Sequence, residues 1–199
     1  MDDIGFNMIA GLLLGYLLGA IPFGLLLTKA AGGGDIRNIG SGNIGATNVL
    51  RTGRKGLAAL TLWLDLLKGF FAVFIAADYL PGGAVFAAAG AFFGHLYPVW
   101  LGFKGGKGVA TYAGIMFGLF WQGGVVYAIA WIGALVIFRI SSLAGLLAAL
   151  CAPIAAAYFG RYDLVALLVA CTLIVFVKHR TNIENLMDGT EPRIGKSKS

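Results

Sequence analysis

The run LAALTLWLDLLKGFFAVFIAADY, Leu57 to Tyr79, decides how the rest of the chain is read. A membrane-spanning helix needs roughly 20 mostly apolar residues to cross about 30 Å of hydrocarbon, and this run reaches that length with Asp65 and Lys68 as the charges in its middle. Those two stand three residues apart and share a helix face, where an unpaired charge costs on the order of 3 kcal/mol. An internal ion pair and a contact with substrate are both open readings of them.

Working outward, further apolar runs cover Met8 to Thr28, Gly83 to Leu101, Val109 to Trp121, Gly124 to Phe138, Leu143 to Gly160 and Leu164 to Val177, with Val109 to Trp121 and Gly124 to Phe138 short. Val109 to Phe138 can also be read as one span, giving six crossings instead of seven. Composition supports a membrane location: of 199 residues 59% are hydrophobic and 12% charged, where soluble domains carry about a quarter charged residues. The same figures exclude a disordered chain, a coiled coil and a disulfide scaffold.

Charge decides between six and seven. With seven spans, Lys29, Arg37, Arg51, Arg54, Lys55, Lys104, Lys107, Arg139, Lys178, Arg180, Arg193, Lys196 and Lys198 fall on one side, against Arg161 alone on the other. A cytoplasmic excess of Lys and Arg orients membrane proteins, and a six-span count spoils this asymmetry. The expectation is an all-α integral membrane protein of seven transmembrane helices, N-terminus outside and C-terminus cytoplasmic, with polar re-entrant or interfacial segments on the cytoplasmic side. One domain is expected over 1–199, with about 190–199 a flexible tail. The start Met1-Asp2-Asp3 lacks the positive charge of a signal peptide, so the first run reads as a retained anchor. Cys151 and Cys171 lie inside spans, with no metal-ligand spacing, and read as small packing residues.

Three polar segments share the basic side. In Arg37 to Arg51, glycines 40, 42 and 45 satisfy a G-x-G-x-x-G pattern, with Asp65 twenty residues beyond Gly45. The dinucleotide reading fails because that fingerprint needs a preceding strand, and here it lies between spans. Its local physics remains: glycines expose backbone amides to an anion, and Ser41, Asn43, Thr47 and Asn48 add side-chain donors beside Arg51. A flexible loop or a tightly packed re-entrant segment is the plainer alternative. The second segment, Gly94 to Gly108, carries Lys104 and Lys107 among glycines. It is not a Walker loop, since Leu101 and Gly108 stand where glycine and a hydroxyl residue are required. It suits a phosphate or a phosphorylated head group, or contact with anionic lipid. The third, Lys178 to Asn185, places His179 and Asn182 at helical i, i+3 spacing. Neither His179 nor His95 is followed five positions later by Asp, so an acyltransferase His-x4-Asp pattern is not present.

Taken together, GSGNIGATNVLR (Gly40 to Arg51), GHLYPVWLGFKGGKGVAT (Gly94 to Thr111) and KHRTNIENLMDGTEPRIG (Lys178 to Gly195) resemble the three cytoplasmic motifs of the PlsY family of bacterial acyl-phosphate:glycerol-3-phosphate acyltransferases. The resemblance implies acyl transfer from a fatty acyl phosphate to the 1-hydroxyl of glycerol 3-phosphate, giving lysophosphatidic acid and phosphate, at the cytoplasmic face of the bacterial inner membrane. It implies that Ser41, Asn43, Thr47, Arg51, Lys104 and Lys107 are phosphate and substrate ligands, with Ser142 a further phosphate donor and His179 with Asn182 the glycerol-phosphate pair. His179, Lys104 and Ser41 are the candidate catalytic residues. No cofactor, metal or nucleic-acid partner is implied; the partners are the two substrates and membrane lipid. An acyl phosphate is a mixed anhydride with a good leaving group, so positioning and charge stabilisation suffice without a covalent enzyme intermediate.

Two rivals come from other classes. A transporter or channel for a phosphorylated solute predicts polar residues running through the bundle, whereas here they gather on one side. A lipid-binding scaffold needs no clustered His, Asn and Ser.

Overall fold

The structure is a computed structural model describing residues 3–195; it is helical, with no strand among the described residues. The chain divides into two compact units, Met1–Leu119 and Phe120–Ser199.

The first unit contains α1 (Asp3–Gly19), α2 (Phe23–Ala30), α3 (Ala46–Arg51), α4 (Lys55–Tyr79), α5 (Ala84–Leu96) and α6 (Val109–Leu119). Hydrophobicity cannot drive helices together in hydrocarbon, so close packing of small residues must do it. Helix α1 presents Gly11, Gly15 and Gly19 along one buried stripe. A Cβ at Gly11 would lie 2.5 Å from the Gly83 carbonyl oxygen, and at Gly15 or Gly19 it would overlap the carbonyls of Ala87 or Ala91. Gly90 and Gly94 answer from α5, against the backbone at Leu12 and Tyr16. Between α4 and α6, Gly69 and Gly114 permit the same approach.

The expected single helix from Met8 to Thr28 is interrupted. Helix α1 begins at Asp3 and ends at Gly19, and α2 starts after Pro22, whose ring removes a backbone donor. Two carbonyls left without helical partners at the break are met by side chains: Trp100 Nε1 donates to Ala20 at 2.6 Å and Lys68 Nζ to Ile21 at 2.8 Å.

The second unit contains α7 (Trp121–Phe138), α8 (Ser141–Tyr158), α9 (Tyr162–Lys178) and α10 (Arg180–Met187). An alanine-rich α8 packs against both α7 and α9, with Ala148, Ala149 and Ala152 fully buried and Thr172 of α9 donating to the Ala149 carbonyl at 2.8 Å. Helices α9 and α10 meet at His179 with a 62° bend.

Among the described residues five helical stretches are long and apolar enough to cross a membrane, Asp3–Ala30, Lys55–Tyr79, Ala84–Leu101, Trp121–Phe138 and Ser141–Tyr158, and the bent pair α9–α10 makes up to six. Helix α6, at 11 residues, is about 16 Å long, short of the hydrocarbon thickness. The expected boundary near residue 121 moves by two residues: Phe120 is extended, with φ −163°, and Trp121 opens α7. The expected loose tail is held for part of its length. Thr190 and Glu191 amides donate to the Asn185 carbonyl at 2.8 and 3.1 Å, and Ile194 to that of Arg139 at 2.7 Å. Lys196 to Ser199 of that tail, and Met1 and Asp2, lie outside the described residues.

Candidate functional site

The first polar segment is a folded loop built around one buried amide. Asn48, 2% exposed, shares its Nδ2 protons among the carbonyls of Ile36, Ile39 and Asn43 at 3.0, 2.9 and 2.8 Å, while its Oδ1 accepts from the Ser41 amide at 3.1 Å. The expectation that Asn48 donates to an anion is therefore corrected: its donors already close the loop. Gly40 and Gly42 take φ of +57° and +68°, the left-handed region that glycine enters without steric cost. Asn43 Oδ1 accepts from the Gly45 amide at 2.9 Å. Beneath the loop lies a small apolar core of Leu25, Ile36, Ile44, Val49 and Ala58, on which Leu101 from the second segment also packs. That shared core brings the first two segments together.

At the loop entrance Asp35 caps a 3-10 turn, accepting from the Arg37 amide at 3.0 Å and pairing with its guanidinium at 2.6 Å. Hydrogen bonds from Arg37 hold the Asp35 carboxyl well below the usual carboxylate range. Ser41, Thr47 and Arg51 are exposed and Asn43 half-buried. The Arg51 side chain lies over Gly40, where a Cβ would stand 3.0 Å from Arg51 Cδ.

The second segment turns at Gly102 and Phe103, with φ of +59° and +62°. Its glycine amides point inward: Gly105 donates to Leu96 at 3.1 Å and Gly106 to His95 at 2.9 Å. Gly42 likewise donates to Ile39 at 3.0 Å. The sequence reading of backbone opened to phosphate is thus revised, since these amides are spent within the protein. What the loops offer an anion is side chains, namely exposed Lys104 and Arg51, half-buried Lys107, and the Ser41 and Thr47 hydroxyls. Cations and hydroxyls of these kinds are general phosphate ligands.

In the second unit the geometry is tighter. Ser142, in the first turn of α8 and 7% exposed, donates through Oγ to Glu191 Oε1 at 2.6 Å, and Asn182 Nδ2 donates to the same oxygen at 2.6 Å. Asn185 Nδ2 holds the other carboxylate oxygen at 3.2 Å. Two donors thus converge on one anionic oxygen. His179 is buried at the α9–α10 bend, with Nδ1 2.8 Å from the Val175 carbonyl. A carbonyl only accepts, so Nδ1 carries the proton and Nε2 is the acceptor in the neutral ring.

Ser142, His179 and Asn182 belong to one unit and Ser41, Asn43, Thr47, Arg51, Lys104 and Lys107 to the other. Sequence reasoning missed Glu191; its signal is an acid directly after the Gly189-Thr190 turn inside the third segment. It also left Asp65, Lys68 and His95 unassigned. Lys68 Nζ lies 2.7 Å from Asp65 Oδ1, and His95 Nδ1 lies 3.7 Å from that oxygen, all three side chains being under 5% exposed.

The family model for glycerol-3-phosphate acyltransferase matches residues 9–189. Similar curated proteins, each named glycerol-3-phosphate acyltransferase, include one from Mesorhizobium japonicum, 59% identical over 96% of this chain and 97% of its own, and one from Brucella ovis, 58% identical over 98% of both. Two solved structures of PlsY, an integral membrane glycerol 3-phosphate acyltransferase, are also similar. Its glycerol 3-phosphate form is 36% identical with a TM-score of 0.89, over 94% of this chain and 96% of that one. Its lysophosphatidic acid form is 34% identical with a TM-score of 0.86, over 94% and 95%.

Proposed function

This chain belongs to the glycerol-3-phosphate acyltransferase family and acylates glycerol 3-phosphate to lysophosphatidic acid, and we propose that its acyl donor is a fatty acyl phosphate. The chain is a multi-pass integral membrane protein. In this reading it acts as one acyltransferase module of seven crossings, the short α6 counted among them, in the bacterial inner membrane, with its N-terminus outside and the three polar segments cytoplasmic, as the one-sided Lys and Arg count favours.

The observation that carries the site assignment is the convergence of Ser142 and Asn182 on a single carboxylate oxygen. Donors set on an anionic carboxylate oxygen suit a phosphate oxygen by the same geometry, the phosphate then taking the place of Glu191 Oε1. With His179, they hold glycerol 3-phosphate. Ser41, Asn43, Thr47, Arg51, Lys104 and Lys107 are phosphate and substrate ligands, as the motif resemblance implies, and in this proposal they take the acyl phosphate.

The step balances without a further reactant. The 1-hydroxyl oxygen attacks the acyl carbon, the acyl carbon–phosphate oxygen bond breaks, and the proton passes to a phosphate oxygen of the donor, which leaves as inorganic phosphate. Lys104 stabilises charge on the carbonyl oxygen, and Ser41 orients the leaving phosphate. His179 Nε2 receives a hydrogen bond from the glycerol hydroxyl and orients it.

Purified protein given palmitoyl phosphate and glycerol 3-phosphate tests this reading. Phosphate release dependent on both substrates is expected. Its absence removes the assigned chemistry, and equal turnover with acyl-CoA or acyl carrier protein removes the donor assignment.

A further inference from the structure

A buried ion pair in a membrane helix is costly to keep, because desolvation of both charges offsets their attraction and an apolar pair of the same bulk is often at least as stable. Asp65 and Lys68 nevertheless occupy the interior of α4, 3% and 4% exposed. Their surroundings supply a reason. From Lys68 the chain of contacts runs to the Ile21 carbonyl at the α1–α2 break, 2.8 Å away. From Asp65 it runs to His95 Nδ1 at 3.7 Å, at the end of α5. The other edge of the same imidazole is the seat of Gly106: a Cβ there would overlap Nε2, Cε1 and Cδ2 of the ring. The Gly106 amide is bonded to the His95 carbonyl at 2.9 Å, and its neighbour Gly105 to that of Leu96 at 3.1 Å. Trp100, two residues before the turn at Gly102, returns to the same break by donating to Ala20 at 2.6 Å.

These contacts form a closed ring: the helix break, Lys68, Asp65, His95, the glycine loop, and Trp100 back to the break. We propose that Asp65, Lys68 and His95 are positioning residues that fix the loop Gly102–Gly108, and hence the substrate ligands Lys104 and Lys107, against the α1–α2 break. None of the three touches substrate in this assignment. A loop of several glycines has a large conformational entropy, and a flexible lysine on a wandering loop cannot hold a phosphate at reacting distance. The ion pair sets charge beside the ring, Asp65 Oδ1 standing 3.7 Å from His95 Nδ1, beyond hydrogen-bond length, and the opposite Nε2 edge of the ring defines where Gly106 can lie. Glycine is required there because only a residue without a Cβ fits against the ring. The proposal's activity readout rests on the acyl-transfer reading above.

The test uses the full chain in phospholipid nanodiscs, with D65L/K68M, which replaces the pair by apolar side chains of similar bulk, and His95→Gln. Thermal unfolding, hydrogen exchange of the loop peptide and of the helices, and kcat and KM with palmitoyl phosphate are measured. For D65L/K68M the expected result is an unfolding midpoint close to that of the parent, loop exchange on the order of tenfold faster with helical exchange unchanged, and kcat/KM lower on the order of a hundredfold. Parental kcat/KM with parental loop exchange overturns the proposal, as does faster loop exchange with unchanged kcat/KM. Faster exchange spread evenly through every helix reassigns the pair to fold stability and overturns it too. Should D65L/K68M fail to fold, His95→Gln decides alone, because it leaves both the ion pair and the Gly106 backbone bond in place; parental loop exchange and kcat/KM in that variant refute the role. An inactive parent whose loop exchange still responds to the substitutions removes the acyl-transfer reading and leaves the positioning role standing.

Discussion

Gly40→Ala is the sharpest single probe of the first loop. At φ +57° an alanine pays about 1 kcal/mol for the left-handed conformation. Its Cβ would stand 2.5 Å from Asn48 Oδ1 and 3.0 Å from Arg51 Cδ, well inside van der Waals contact. The Asn48 oxygen cannot retreat freely, because the same amide ties Ile36, Ile39 and Asn43 together. Relief therefore comes by losing the Ser41 N–H bond to Oδ1, worth about 1 kcal/mol net or somewhat more where the donor is left buried, and by moving Arg51. Together these amount to about 2–3 kcal/mol of local destabilisation. At about 1.4 kcal/mol per factor of ten, the ratio of closed to open loop falls by roughly 30- to 140-fold relative to its parent. Steady-state kinetics with palmitoyl phosphate reads this as a fall in kcat/KM of that order, while the unfolding midpoint shifts little because α1, α4, α5 and α6 are untouched. Gly42→Ala is the internal comparison: its φ is similar, +68°, but its Cβ meets only the Arg37 carbonyl, at 3.2 Å, so a smaller loss is expected. Parental kcat/KM in Gly40→Ala, or a Gly42→Ala loss as large, refutes the account of Asn48 as the centre of the loop.

Glu191→Ala removes the carboxylate that a phosphate oxygen displaces from Ser142 and Asn182 and is expected to lower KM for glycerol 3-phosphate about tenfold, while Glu191→Gln, which keeps a weaker, uncharged acceptor, gives a smaller fall; a raised KM in Glu191→Ala would count against the shared seat. Gly15→Val drives a side chain into the Ala87 carbonyl and is expected to cost about 1–3 kcal/mol or more by overpacking, read as a lowered unfolding midpoint in detergent. The Asp35 carboxyl is depressed by Arg37, so the stability it contributes is fully present above its unfolded value near pH 4 and is lost only as pH falls through its lower folded value. Loop hydrogen exchange, corrected for its intrinsic pH dependence, is therefore expected to be flat between about pH 5 and 8 at this segment, and a step in that window would contradict the pairing.

Much of the fold is legible in the sequence because its two governing signals are long-range averages. Apolar runs locate α4, α5, α7, α8 and α9, and the grouping of basic residues separates the three polar segments from the spans. What the runs hide are the breaks. Ile21-Pro22-Phe23 and Phe120 are as apolar as their neighbours, so a hydropathy window passes over them. The first break is sustained by partners far away in the chain, Lys68 and Trp100, which no local pattern announces. The shortness of α6 is hidden for the same reason, since the residues after Leu119 continue the apolar composition without continuing the helix.

The site was legible by residue type and not by role, and the glycines show why. Sequence alone assigns them one property, freedom from a side chain, which serves close helix packing, left-handed turns and exposed amides equally well. Only neighbours distinguish these uses. At Gly15 and Gly94 the neighbour is another helix backbone, at Gly40 an asparagine amide, and at Gly106 the Nε2 edge of a histidine ring. In both polar loops the neighbour consumes the amides a phosphate would otherwise receive, through Asn48 at Ser41 and through the end of α5 at Gly105 and Gly106. In the proposed reading the loops are therefore mounts, closed by their own hydrogen bonds, whose side chains do the binding. Such a mount needs an anchor, and in the second loop that anchor is the buried charge of α4, whose place in an apolar helix is otherwise a pure cost. The charge that first marked Leu57 to Tyr79 as an unusual span is thus accounted for by the loop it holds in place.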